Sequence, residues 1–334
     1  MIQETILLSI FLFFYIVFYT NRNKICQFLR LIDIPNDKRK IHSKPTPLLG
    51  GLVVLLAIII NIKNFYNFLP NKEFLILFSL ISIYFVLSLM DDIKNLNSYF
   101  RLVFLFLMTY LLLSYSDIFV IKKLIFNFNQ LEINLGIFDI FITTLCILLL
   151  VNALNLSDGI NGLATLLILS WFVYIKFILF NNLTLFNFST IVILLIIFYH
   201  ILKGVYFMGD YGVTVSALII GLISISSYNL QNNNLDQIFV EELFLLFFIP
   251  GLDMFRLFIE RIFKKKDPFS PDKNHLHHIL ISRFNLKKTL LIYFIISFTP
   301  IFVYKTTNLN TIFLIILYFF LYFVFFNKIT KKYF

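Results

Sequence analysis

The sequence predicts an all-α polytopic membrane protein of about eleven transmembrane helices, one integral membrane domain over residues 1–334 with its N-terminus outside and its C-terminus cytoplasmic. Three observations lead there. Hydrophobic residues make up 60% of the chain and charged residues 14%, whereas soluble domains run about a quarter charged. Apolar runs long enough for a span recur from end to end. Lys and Arg collect in alternate gaps between those runs.

Taken in order, the runs fall at roughly 4–20, 48–62, 74–90, 100–116, 137–153, 163–180, 186–202, 213–229, 239–258, 289–304 and 310–326. No Lys or Arg precedes the first run, and Arg22, Lys24 and Arg30 follow it. It therefore reads as a first span rather than a cleaved leader. With that end outside, the cytoplasmic segments are 21–47, 91–99, 154–162, 203–212, 259–288 and 327–334. Lys63, Lys72, Lys122, Lys123 and Lys305 fall on the other side and Lys176 within a run; the other 22 of the 28 basic residues lie in or beside the cytoplasmic segments. Residues 117–136 alternate apolar and polar types, as an external hairpin or interfacial segment would. Cys26 and Cys146 cannot build a disulfide framework and are expected as free thiols.

Positive charge on one side is ordinary topology signalling, but it does not call for acids and imidazoles beside it. His42, His200, His275, His277 and His278 all fall on the cytoplasmic side, as do Asp91, Asp92, Asp158, Asp210 and Asp253 at helix ends. A carrier would place buried ionisable groups near mid-membrane, and as candidates for that the sequence offers Lys176 and Asp139, each near an end of its helix.

Five stretches carry this chemistry. In "LMDDIKNL", Asp91 and Asp92 are adjacent carboxylates that repel unless a cation or a proton intervenes, and the helix dipole does not favour acids at a C-terminus. In "NALNLSDGINGLA", Asn152, Asn155, Asp158 and Asn161 recur every third residue, a spacing that can share one broad polar face. "YFMGDYG" sets Asp210 between Gly209 and Gly212, either as a plain N-cap turn or as a close approach for metal or phosphate. "DIPNDKRKIHSKPTPLLGG" offers Lys38, Arg39, Lys40 and His42 to phosphates or headgroups ahead of a Pro/Gly turn. "PDKNHLHH" brings three imidazoles together without cysteines, which favours phosphate contact or proton handling over structural zinc.

As an ordered set, these stretches resemble the polyprenyl-phosphate N-acetylhexosamine-1-phosphate transferase superfamily, the glycosyltransferase family 4 type, over about residues 30–285. The spaced "HLHH" looks more like the GlcNAc-1-phosphate initiators than the phospho-MurNAc-pentapeptide translocase. The resemblance implies an Mg²⁺-dependent enzyme, with Mn²⁺ an alternative, of the bacterial inner membrane. It would transfer GlcNAc-1-phosphate from UDP-GlcNAc to undecaprenyl phosphate, release UMP, and initiate a cell-surface polysaccharide. Asp91, Asp92 and Asp210 would be catalytic, with Asp210 the metal ligand. Lys40, His42, Asn152, Asn155, Asp158, Asn161, His275, His277 and His278 would bind substrate. The partners would be the lipid phosphate and a UDP-amino sugar, not nucleic acid; a homodimer is left open. Asn161 replaces a second acid, Leu48 an arginine and His200 an amide of the family pattern, departures that bear on the sugar more than on the reaction. A translocase-like enzyme and a non-catalytic lipid or nucleotide-sugar binder or transporter are the alternatives.

Overall fold

The computed structural model describes residues 2–35, 44–176, 188–231, 238–268, 273–307 and 309–330. The chain is mostly helical. Its helices are α1 (Ile2–Thr20), α2 (Arg22–Phe28), α3 (Gly50–Ile60), α4 (Ile62–Phe68), α5 (Asn71–Lys94), α6 (Ser98–Leu113), α7 (Asp139–Ser157), α8 (Leu163–Tyr174), α9 (Phe188–Leu202), α10 (Asp210–Gln231), α11 (Val240–Phe263), α12 (Leu276–Ile281), α13 (Leu286–Thr306) and α14 (Thr311–Thr330). Two small antiparallel ribbons interrupt them, β1 (Ile32–Asp33) with β2 (Thr46–Pro47), and β3 (Lys123–Ile125) with β4 (Glu132–Asn134). The second ribbon lies within the segment expected as a hairpin or interfacial element.

The described residues of each of the eleven apolar runs lie largely on a helix. Among the described residues, five helices are long and apolar enough to cross a membrane, or seven if α1–α2 and α3–α4, bent by 72° and 50°, each count as one. The helices in the runs at 100–116, 163–180 and 186–202 are short, at 10–17 described residues. α11 is long enough but carries Glu241, Glu242, Asp253, Arg256 and Arg261, all buried. Apolar content along the chain does not register where a helix bends or which charges it encloses.

α10 lies at the centre, packed against α5, α7, α3 and α8. Its sequence explains that place. Gly212, Ser216, Ala217, Gly221 and Ser224 present little side-chain bulk, so neighbouring backbones approach closely. A Cβ on Gly221 would meet Leu150 Cδ2 at 3.3 Å. Ser216 and Ser224 return their hydroxyls to the carbonyls of Gly212 and Ile220, so they leave no unmet polar atom at the interface. By contrast, α14 turns most of its surface outward. The ends of α5 and α7 and the start of α10 thus converge, and the acids of the sequence motifs meet there.

Candidate active site

Asp91 and Asp92 end α5 with different partners. Arg101, near the start of α6, forms an ion pair with Asp91 Oδ2 and reaches Asp210 Oδ2 at 3.2 Å. Asp91 Oδ1 accepts from the Leu96 amide at 2.7 Å. Asp92 instead accepts from the amides of Asp210 and Tyr211, both at 3.2 Å. It is the remote cap of α10, satisfying N–H groups that have no partner inside that helix. The pair therefore splits its work: Asp91 joins a charge cluster, and Asp92 aims the helix that carries Asp210.

A left-handed turn delivers Asp210. Gly209 has φ +74°, and a Cβ there would lie 3.1 Å from Asp92 Oδ2, so the turn needs glycine for its backbone and for its space. The preceding strand of chain is fixed from behind by the Pro/Gly turn of the basic loop. Phe207 donates its amide to Pro47 O at 2.9 Å, Gly50 donates to Phe207 O at 2.9 Å, and Gly51 to Met208 O at 2.8 Å. A Cβ on Gly50 would sit 2.6 Å from Met208 Cα. The ordered P-x-P-x-x-G-G is thus a backbone-to-backbone clamp on the Asp210 turn. The Tyr211 hydroxyl donates to Leu48 O in the same clamp.

From α7, Asn155 donates to Asp210 Oδ2 at 3.4 Å, while its own Oδ1 is buried without a partner. Asp158 caps the end of α7. Burial, and secondly the negative charge of Asp210, push its carboxyl well above the usual range. The polar face expected to continue through residue 161 stops because α7 ends at Ser157. Asn152 turns its amide to Leu148 O of its own helix at 2.9 Å. Asn161 faces the α9–α10 connection, its Nδ2 3.4 Å from where a Cβ on Gly204 would stand. Neither joins Asp210.

The histidine motif reaches the same place from the far end of the chain. A Cβ on Gly159 would lie 2.4 Å from His277 Nε2 and 2.8 Å from His278 Nε2, so both imidazoles press on the backbone beside Asp158. His277 is 1% exposed, and neither ring nitrogen has a partner. Its burial, then the neighbouring rings of His278 and His275, lower its basicity well below that of a free imidazole. His275 donates through Nδ1 to Asp253 Oδ2 at 2.9 Å. His200, in contrast, belongs to an aromatic cluster with Tyr15, Tyr19 and Tyr206, bonded to Tyr15 at 2.9 Å. Lys40 and His42 lie outside the described residues.

The sequence reading missed Arg101, which it counted only toward charge bias, and the network of Asp253, Arg256 and Tyr322. One signal was present: "DMFR" spaces Asp253 and Arg256 three apart on a helix, where opposite charges meet.

The donor set fits a hard divalent cation. Asp91, Asp92 and Asp210 crowd one end of the bundle with, among the described residues, the Arg101 guanidinium beside two of them, and all their donors are oxygens, as Mg²⁺ prefers. Buried Asn155 Oδ1 and the two His277 nitrogens still lack partners. A charged, oxygen-rich ligand is what such a mixture of acids, guanidinium and imidazoles suits.

Comparison with known proteins narrows the class. Residues 74–228, which hold Asp91, Asp92, Arg101, Asn155, Asp158 and Asp210, match the model of the glycosyl transferase family 4. The chain is similar to the undecaprenyl-phosphate alpha-N-acetylglucosaminyl 1-phosphate transferase of Escherichia coli (strain K12), 27% identical over 287 residues that cover 83% of this chain and 76% of the relative. The protein of the same name from Yersinia pestis is 26% identical over 84% of this chain and 77% of its own length. A phospho-N-acetylmuramoyl-pentapeptide-transferase of Clostridium botulinum (strain Eklund 17B / Type B) is 30% identical, but over 43% of this chain and 48% of the relative.

Proposed function

We propose that this protein transfers N-acetylglucosamine 1-phosphate from UDP-GlcNAc to undecaprenyl phosphate, giving undecaprenyl-diphospho-GlcNAc and UMP. The observation that carries the reading is the meeting of Asp210 with Arg101 and Asn155, from three helices, beside Asp91. An oxygen of the lipid phosphate attacks the sugar-linked phosphorus of the nucleotide. The phosphoanhydride bond breaks, and its electron pair leaves with UMP. A phosphate monoester has a second pKa of about 6, so the attacking oxygen is already anionic near neutrality and no general base is required.

Two phosphate-bearing substrates repel, and neutralisation is the main task of such a site. Bound Mg²⁺ would supply charge compensation at the diphosphate, with Asp210 its ligand and Mn²⁺ an alternative ion. Arg101 tethers Asp91 and Asp210 in one geometry, and Asp92 holds the α10 N-terminus that presents Asp210. Asn155 and Asp158 face the nucleotide sugar, and His275, His277 and His278 contact the diphosphate. Lys40 and His42, in the basic loop, supply further charge to the phosphates. This end of the bundle would face the cytoplasm of a bacterial inner-membrane protein, with the eleven apolar segments packed across or into the bilayer and the N-terminus outside, a reading that the positive residues of the loops support.

Membranes holding the protein, given Mg²⁺, undecaprenyl phosphate and a panel of UDP-sugars, test the proposal through UMP release and the mass of the lipid product. UDP-GlcNAc should give the highest rate. Release that does not depend on the lipid would contradict the reaction, and a different preferred sugar would contradict the substrate.

A further inference from the structure

Asp253 sits midway along α11, outside the residues that match the family domain, with 3% of its surface exposed. Its oxygens accept from His275 Nδ1 at 2.9 Å, Arg256 Nη2 at 2.9 Å, the Tyr322 hydroxyl at 2.7 Å, and the Leu276 amide at 3.2 Å to each oxygen. A carboxylate has about four lone-pair sites, and these partners fill them. Asp253, His275 and His277 do offer donor atoms within 4.8 Å of one another, a spacing that could suit a metal ion. The saturation of both Asp253 oxygens argues against that use.

What the network does hold is the start of the histidine helix. α12 has only six residues, and His275, its N-cap, gives it no side-chain cap. So short a helix is not stable alone. Asp253 takes the Leu276 amide and the His275 ring, and Arg256 Nη2 also takes the Asn274 carbonyl at 2.7 Å. Three successive residues are thereby tied to α11. The last helix locks this from outside: Tyr322 accepts from Arg256 Nε at 3.1 Å, and the guanidinium lies 3.9 Å over the Phe326 ring.

We propose that Asp253, held by Arg256 and Tyr322, is the positioning residue of the histidine site. An ionised carboxylate can only accept, so His275 must carry its proton on Nδ1 and turn its other nitrogen, Nε2, away from Asp253. The same anchor sets His277 and His278 against Gly159. The C-terminal helix thereby contributes to a site it does not enter. The inference rests on the transferase reading for the part these histidines play.

A double-mutant cycle tests it, with UMP release as the readout and Asp253→Asn, Tyr322→Phe and His275→Gln as the changes. Asparagine keeps the shape of Asp253 but can donate to Nδ1, which reverses the ring's proton. Asp253→Asn should lower kcat about 10- to 100-fold, and by less than about twofold once His275 is already Gln. An equal fold-change in both backgrounds, or a wild-type rate for Asp253→Asn, overturns the proposal. If Asp253→Asn does not accumulate as folded protein, Tyr322→Phe, which removes one hydroxyl, runs the same cycle with a smaller loss. If the unchanged protein releases no UMP, the transferase reading fails by itself, and trypsin decides the anchoring separately. Lys273 and Arg283 flank α12, and Tyr322→Phe should speed cleavage there roughly tenfold. Equal cleavage rates would overturn the anchor.

Discussion

α5 carries a buried acid near each end, and the two behave in opposite ways. Glu73, in its first turn, accepts from the Ser116 hydroxyl at 2.6 Å and the Asp117 amide at 2.7 Å. Asp91, 18 residues and about 27 Å along the helix, shares one guanidinium with Asp210 and lies beside Asp92. The pattern extends to the neighbours of each end. On the Glu73 side, Glu241 accepts from the Asn127 amide and the Thr311 hydroxyl, and Glu242 from the Tyr174 hydroxyl and Lys305 at 2.7 Å. Each of these acids is satisfied by the fold and pins a loop or helix end. At the Asp91 end, Asp91 and Asp210 share one arginine among the described residues, while an amide oxygen and a buried imidazole have no partner. Burial of a carboxylate does not distinguish structure from function. A surplus of demand over donors does.

The comparison can be broken most sharply by removing charge at each end. Asp210→Asn should lower UMP release by about 10²- to 10³-fold with little change in thermal unfolding in detergent. Arg101→Gln leaves Asp91 and Asp210 without their shared cation, and should lower the rate by roughly 10- to 100-fold, the range expected when a buried charge loses its partner. Glu73→Gln should do the reverse. It weakens the hold on Ser116 and Asp117, costing about 1–3 kcal/mol of stability, while UMP release per folded molecule stays within about twofold of the unchanged protein.

The smallest effect concerns pH. Burial holds His277 well below the ordinary imidazole range of about 6.5. The unfolded chain therefore takes up that proton first as pH falls, and stability is full above about pH 6.5 and declines below it. His277→Gln removes the proton, so its unfolding temperature should drop less between about pH 7.5 and pH 5.5 than that of the unchanged protein, by a few degrees. An equal drop in both would mean that His277 is not held neutral.

Much of this was legible in the sequence, for physical reasons that also mark the limits. The apolar runs located the helices because burial in an apolar bundle leaves a composition signal along the chain. The acids of α5 and α10 were visible because charge in apolar sequence is costly. Their partners were not. Asp92 caps a helix 118 residues later, and Tyr322 meets Asp253 across 69 residues, pairings that no local pattern encodes. The reading of acids gathered at one face also passed over Glu73, Glu241 and Glu242, because their partners are mostly backbone amides and hydroxyls, groups every sequence contains. The three-residue spacing of Asn152, Asn155, Asp158 and Asn161 described one face only while the helix lasted, and α7 stops at Ser157. The two bends, at α1–α2 and α3–α4, fall where the first two apolar runs end, and composition does not register that a helix continues past them.

The central claim is that the Asp210 end of the bundle performs phosphoryl transfer and the Glu73 end only supports it. UMP release from UDP-GlcNAc, measured side by side for the unchanged protein, Asp210→Asn and Glu73→Gln with undecaprenyl phosphate present and with Mg²⁺ either added or chelated, tests it most directly. The account predicts release that needs the lipid and Mg²⁺, is lost in Asp210→Asn and is kept in Glu73→Gln. Full release by Asp210→Asn, or loss in a folded Glu73→Gln, would contradict it.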